Sequence, residues 1–284
     1  MKIEIGKTAG FCYGVKRAVE ETKKELDKNK RIDCLGELVH NKQVIEKLEK
    51  AGMNIIDEIE QATNKVIIRA HGVPKETMKK AETKDIKIID LTCPKVLKIH
   101  EIAEEYAKQG YYIFLLGSKK HPENIGTISY CGKNSSIIEN EEEALKELEK
   151  FDKSGIKKLL VISQTTYSLE KFYIIEEIIR NETKKDVELV IKNTICQATE
   201  LRQKETEELS KKVNYMIIIG GKNSSNTKKL YEIAKKNCEN SICIETKEEM
   251  NIDEIKQFEK VGIMAGASTS QESIDEVVEK IKEE

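Results

Sequence analysis

Short apolar, β-branched runs alternate with longer charged segments along the whole chain. KVIIRA, IKIIDL, YYIFLLG, KKLLVIS, VELVIK, YMIIIGG and VGIMAGA each hold an apolar, largely β-branched core, with their few charges mostly at the ends. Runs of that kind fit strands covered on both faces, as in a parallel sheet. Between them, VPKETMKKAE, KIHEIAEEYAKQG, EEEALKELEKF, TYSLEKFYIIEEIIRN and SNTKKLYEIAKKN place apolar residues at helical spacing. The alternation predicts an α/β protein in which helices cover the faces of parallel sheets. Pro94 and Pro122, two of only three prolines, stand just after strands, where a first helical turn accepts proline.

The pattern also repeats. GKTAGFCYGVKRAVEE, IDLTCPKVLKIHEIAEE and KNTICQATELRQKETEE each read as a strand end, a threonine, a cysteine and a helix, with Cys12, Cys93 and Cys196 at matching places. His40, His121 and Ser224 lie 28 residues past these cysteines, and each follows a strand-end glycine by four residues. A third set of strand exits carries His71, Thr165 and Ser268, the last two 44 residues past their partners and the first 31. The implied architecture is nine strand–loop–helix units in three similar parallel-sheet α/β lobes of about 95 residues. The lobes span residues 1–93, 94–192 and 193–284, and the N-terminal strand has two homes open to it, the first lobe or the last. Lobes packed in a pseudo-threefold trefoil would aim their strand exits at one centre. Parallel sheets bind ligands beyond the carboxyl ends of their strands, so a central site is expected.

Charge and composition narrow the function. The 49 basic and 51 acidic residues nearly cancel, which argues against a surface for nucleic acid or anionic membrane. MKIEIGKTAG lacks the apolar core of a signal peptide, and no stretch approaches the roughly 18 apolar residues of a membrane span. A cytoplasmic protein is expected. An odd count of seven cysteines does not suit a disulfide framework there.

A cysteine at a helix start favours the thiolate, which suits a metal ligand, a nucleophile or a redox centre. Three such thiolates could hold zinc with a water in the fourth place. They could equally hold an iron–sulfur cube, leaving one iron free to act as a Lewis acid. Cys34, Cys131, Cys238 and Cys243 do not repeat between lobes and read as structural, as does mid-helix His100. His40, His71, His121, Thr165, Ser224, Ser225, Asn226 and Ser268 form a donor-rich set that suits a phosphate or diphosphate. Glu123, in HPEN, becomes a proton donor near neutral pH if anions and a dry surrounding raise its pKa. Three classes stay open on these residues: an iron–sulfur reductase, a zinc-dependent phosphohydrolase and a cluster-based redox sensor. A sensor has no use for the donor set.

The motifs GFCYGVKRA, AHGV, DLTCP, HPE, SQTT, NTIC with QATELRQ, GGKNSSNTKKL and AGAST together resemble the 4-hydroxy-3-methylbut-2-enyl diphosphate reductase family over the whole length. The resemblance implies a trefoil around a [4Fe-4S] cluster, one per chain, held by Cys12, Cys93 and Cys196 with one iron not bound by protein. It implies that His40, His71, Ser224, Ser225, Asn226 and Ser268 bind a substrate diphosphate, and that Thr199 lines the pocket. His121 would stand between the diphosphate and the reacting hydroxyl, Thr165 would orient that hydroxyl, and Glu123 would supply protons. The implied reaction is reductive dehydroxylation of an allylic diphosphate to isopentenyl and dimethylallyl diphosphate, with ferredoxin or flavodoxin as electron donor to a monomeric enzyme.

Overall fold

The computed structural model describes residues 1–84 and 86–283. Its strands are β1 Lys2–Ile5, β2 Ile32–Leu35, β3 Met53–Ile56, β4 Lys65–Ile68, β5 Lys87–Asp90, β6 Tyr112–Leu116, β7 Ser135–Ile138, β8 Lys158–Ser163, β9 Glu188–Ile191, β10 Tyr215–Ile219, β11 Ser241–Ile244 and β12 Lys260–Ala265. Its helices are α1 Tyr13–Asn29, α2 Lys42–Lys50, α3 Lys75–Thr83, α4 Pro94–Lys108, α5 Pro122–Ile128, α6 Glu141–Ser154, α7 Leu169–Glu182, α8 Gln197–Ser210, α9 Ser225–Asn237, α10 Ile252–Ile255 and α11 Gln271–Glu283.

Three four-stranded parallel sheets result, in the orders β3-β2-β4-β5, β7-β6-β8-β9 and β11-β10-β12-β1. The order is the same in each if β1 takes the fourth place of the third sheet, beside β12 in the register Lys2↔Lys260 to Ile5↔Ile263. The first strand of the chain thus completes the last sheet. Nine strand units were expected, and twelve strands are present among the described residues. The additional ones include the outer edges β3, β7 and β11. Each is four residues long and only partly buried, so it offers no continuous apolar run to read. The inner strands β6, β8, β10 and β12 are buried almost throughout.

The chain gathers into two compact units. One holds residues 1–23, 39–52 and 197–284, with the sheet containing β1, and the other holds residues 24–38 and 53–196, with the remaining two sheets. In the first, Ile217, Ile219, Ile263 and Ala265 pack against Ile274, Val277 and Ile281 of α11. In the second, Phe114, Leu116, Leu159 and Val161 pack against Ala144, Leu148 and Phe151 of α6 and against Phe172, Ile175 and Ile179 of α7. The helices begin where their sequences say they should. Asn140 accepts the Glu143 N–H at 2.9 Å to cap α6, whose first turn is acidic. Pro94 and Pro122 open α4 and α5. No described helix is long and apolar enough to cross a membrane.

Candidate active site

Every residue singled out by the repeat sits just past the carboxyl end of a strand. Cys12, Cys93 and Cys196 follow β1, β5 and β9; His40, His121 and Ser224 follow β2, β6 and β10; His71, Thr165 and Ser268 follow β4, β8 and β12. The cysteines share a backbone anchor. The N–H of Cys12 donates to Ala267 O at 3.1 Å, that of Cys93 to Ala70 O at 3.0 Å and that of Cys196 to Thr165 O at 2.9 Å. The carbonyls of Cys12 and Cys93 accept the first bonds of α1 and α4, from Lys16 and Leu97, so both residues act as helix caps.

These anchors correct one step of the repeat. Spacing sets Thr165 opposite Ser268 and His71. The backbone sets it opposite Ala267 and Ala70, because Gly72, Tyr167 and Thr269 return equivalent N–H bonds to Arg69, Gln164 and Gly266. The stretch from His121 to this turn is one residue longer than that from Ser224, so Thr166 is the counterpart of Ser268.

In the second unit, Thr165 and His121 bond directly to Glu123. The Thr165 N–H donates to Glu123 Oε1 and its hydroxyl to Oε2, both at 2.6 Å. Glu123 is 2% exposed. Burial pushes its pKa up to about 7, against the opposing pull of the hydroxyl and amide of Thr165. His121 caps α5 by accepting the Glu123 N–H on Nδ1 at 3.2 Å, which leaves its proton on Nε2. The rings of His121 and His71 meet edge to face, with centroids 5.4 Å apart. Asn124 Nδ2 donates to Ser118 O at 2.8 Å and to Gln164 Oε1 at 2.9 Å, joining the HPEN turn to the SQTT turn.

In the first unit, Ser224 caps α9 by accepting the Thr227 N–H at 3.3 Å. Ser225 and Asn226 form its first turn. Asn226 is 3% exposed, yet neither its Oδ1 nor its Nδ2 has a hydrogen-bond partner among the described residues. An amide does not stay in that state without a ligand or water to satisfy it. Ser268 Oγ donates to His40 O at 3.0 Å. Gly221 lies against the same turn, since a Cβ there would stand 2.7 Å from His40 O. The second glycine of GGKNSSN is therefore a matter of space. Thr199 is buried in the first turn of α8.

A model of the LytB protein family matches residues 3–282. The chain belongs to the LytB family. A relative from Caldanaerobacter subterraneus, named 4-hydroxy-3-methylbut-2-enyl diphosphate reductase, is 44% identical over 99% of this chain and 97% of its own. A solved structure of (E)-4-hydroxy-3-methyl-but-2-enyl diphosphate reductase, titled the terminal enzyme of the non-mevalonate pathway, matches all of both chains at 37% identity with a TM-score of 0.72. The Plasmodium falciparum reductase structure matches 98% of this chain and 87% of its own at 29% identity, with a TM-score of 0.88. LytB membership makes the chain an oxidoreductase of an iron–sulfur-dependent family.

The thiols fit that chemistry. Cys12, Cys93 and Cys196 are half-buried at helix starts. Burial pushes the thiols of Cys34 and Cys131 up to about 12, which keeps them protonated and poor as ligands. Cys131 only donates to Thr127 O, at 3.4 Å. Cys131→Ala is expected to cost about 1 kcal/mol of stability and to leave iron content and activity within about twofold of wild type, as metal analysis and a melt would check. Asn124 and Gln164 went unmarked in the sequence, although both stand inside motifs that were read. Gln164 is a long polar side chain directly after β8, whereas Asn124, in the first turn of α5, gave no such local signal.

Proposed function

We propose that this LytB protein reduces (E)-4-hydroxy-3-methylbut-2-enyl diphosphate to isopentenyl and dimethylallyl diphosphate. Two electrons and two protons enter, the allylic C–O bond breaks, and water leaves. In this reading the lobes 1–93, 94–192 and 193–284 bring their strand exits to one centre, where Cys12, Cys93 and Cys196 hold one [4Fe-4S] cluster with one iron not bound by protein. When bound, that cluster supplies the electrons one at a time, received from ferredoxin or flavodoxin. The enzyme is proposed to work as a cytoplasmic monomer.

The remaining work falls to side chains. The observation that carries the reading is the Glu123–Thr165 pair: a buried carboxyl titrating near 7, bonded twice to a threonine whose own carbonyl anchors Cys196. A general acid serves best when its pKa lies near the working pH. Thr165 can pass that proton from Glu123 to a leaving hydroxyl while orienting it. His121, with its proton on Nε2, presents a donor on the side away from Glu123. His40, His71, Ser224, Ser225, Asn226 and Ser268 take the diphosphate, with Thr199 lining the pocket, and the first turn of α9 adds backbone N–H groups to the anion site.

The test is anaerobic purification followed by iron, zinc and acid-labile sulfide analysis and by turnover of the allylic diphosphate with a low-potential reductant. A colourless zinc protein without sulfide would refute the reading. Asn226→Ala is expected to raise KM roughly tenfold or more with kcat little changed, the scale of a hydrogen bond to a charged ligand. An unchanged KM would remove Asn226 from the anion site.

A further inference from the structure

We propose that Arg202 and Glu205 of α8 are positioning residues for Cys12. The inference rests on Cys12 being an iron–sulfur ligand.

The three cysteines hang on unequal connectors. Residues 91–92 lead to Cys93, residues 192–195 to Cys196, and residues 6–11, the longest, to Cys12. The first two are tied by their own or neighbouring side chains. Asp90 Oδ1 accepts the Thr92 N–H at 2.9 Å. Thr194 Oγ1 accepts the Ser163 N–H at 2.7 Å and donates to Ser163 O at 2.6 Å, while Asn193 Oδ1 accepts the Ile195 N–H at 3.0 Å. The Cys12 connector, GKTAGF, has two glycines, and its polar side chains are only Lys7 and Thr8. Left to itself it would sample many conformations.

Two side chains of α8, three residues apart and so on one helix face, take up its backbone groups. Glu205 accepts the N–H of Lys7 at 2.7 Å, the N–H of Thr8 at 2.8 Å and the Thr8 hydroxyl. Arg202, 3% exposed, donates from Nε to Thr8 O and from Nη2 to Gly10 O, both at 2.9 Å. Gly10 sits at φ +96°, a conformation that side chains other than glycine rarely adopt. A Cβ on Gly6 would fall 1.9 Å from Met264 Sδ. Bare backbone pressed onto β12 and gripped by a carboxylate and a guanidinium is a connector with its geometry fixed from outside. The pair belongs to α8 alone: the residues six and nine past Cys93 are Ile99 and Ile102, and those past Cys12 are Ala18 and Glu21. Loosening the grip should therefore release Cys12 and spare Cys93 and Cys196.

The holoenzyme tests this, through iodoacetamide labelling of each cysteine followed by mass spectrometry. In wild type, iron should protect Cys12, and chelation should expose it. Equal labelling before and after chelation would mean that Cys12 is no ligand, and both the ligand assignment and this inference would fall. With protection present, Glu205→Ala and Arg202→Met should speed Cys12 labelling about tenfold and leave Cys93 and Cys196 within about twofold. Glu205→Gln, which keeps one acceptor oxygen and turns the other into a donor, should lie between. An unchanged Cys12 rate, or an equal rise at all three cysteines, would overturn the positioning role. If the larger substitutions prevent folding, Thr8→Val removes one bond to Glu205 and should still raise the Cys12 rate about threefold, and no rise would overturn the proposal.

Discussion

Replacing Glu123 by glutamine is expected to cut kcat by roughly 100-fold or more, the scale of a positioned proton donor, with iron content and KM close to wild type. Glutamine has the shape of the carboxyl and can still accept the Thr165 N–H, so the HPEN and SQTT turns should hold together. What it lacks is a transferable proton. The wild-type pH profile should carry the same signature. Glu123 must be protonated to act, so kcat should fall as pH rises through about 7, the pKa that burial gives it. The residual rate of the variant should lose that limb. Wild-type rates in the variant, or an alkaline limb that survives the substitution, would end the assignment.

The same carboxyl makes a separate prediction about stability. Its pKa is raised from 4.5 in the ordinary state to about 7 in the fold. A group of this sign favours the native state fully below 4.5, and the benefit is lost as pH rises through 7, where the buried carboxyl must ionise. The loss is on the order of 3 kcal/mol, at 1.36 kcal/mol per unit. Glu123→Gln removes it. Measured by urea unfolding, the stability of the variant relative to wild type should therefore improve between about pH 5 and about pH 8, even as its activity collapses. Most other titrating groups are common to the two proteins and cancel in the difference.

Legibility in the sequence followed burial. The inner strands could be read because both faces are covered, so that stretches such as YIFLL and VGIMA are apolar without a break. The edge strands MNII, SSII and SICI expose part of their length and carry no such signal. The repeat exposed the strand exits, since a cysteine, a histidine or a serine at a matched interval stands out against apolar neighbours. It misaligned Thr165 because intervals count residues, while equivalence is set by hydrogen bonds, and one extra residue between β6 and β8 is invisible to counting. Arg202, inside QATELRQ, and Glu205 just after it carry no sign of their role in the sequence. Their targets are backbone groups almost 200 positions earlier in the chain, and no local pattern reports a pairing of that kind.

Cys93→Ser separates the ligand assignment from the fold more sharply than any other substitution. Cys93 caps α4, and its N–H donates to Ala70 O. Serine reproduces the backbone bond and is a better helix cap than cysteine, so nothing in the protein without iron should weaken. A melt of the iron-free variant should match or slightly exceed iron-free wild type. The hydroxyl, however, stays protonated at any pH the protein survives, and an alcohol is a poor substitute for a thiolate in an iron–sulfur site. Iron and acid-labile sulfide per chain should fall to a small fraction of wild type, and turnover with them. Cys12→Ser and Cys196→Ser should do the same, because their N–H groups hold equivalent carbonyls, whereas Cys131→Ala, which removes a thiol that burial keeps protonated, should not. A Cys93→Ser protein that is folded and retains its full complement of iron would mean that the repeat had marked three structural cysteines, and the electrons of the proposed reaction would need another way in.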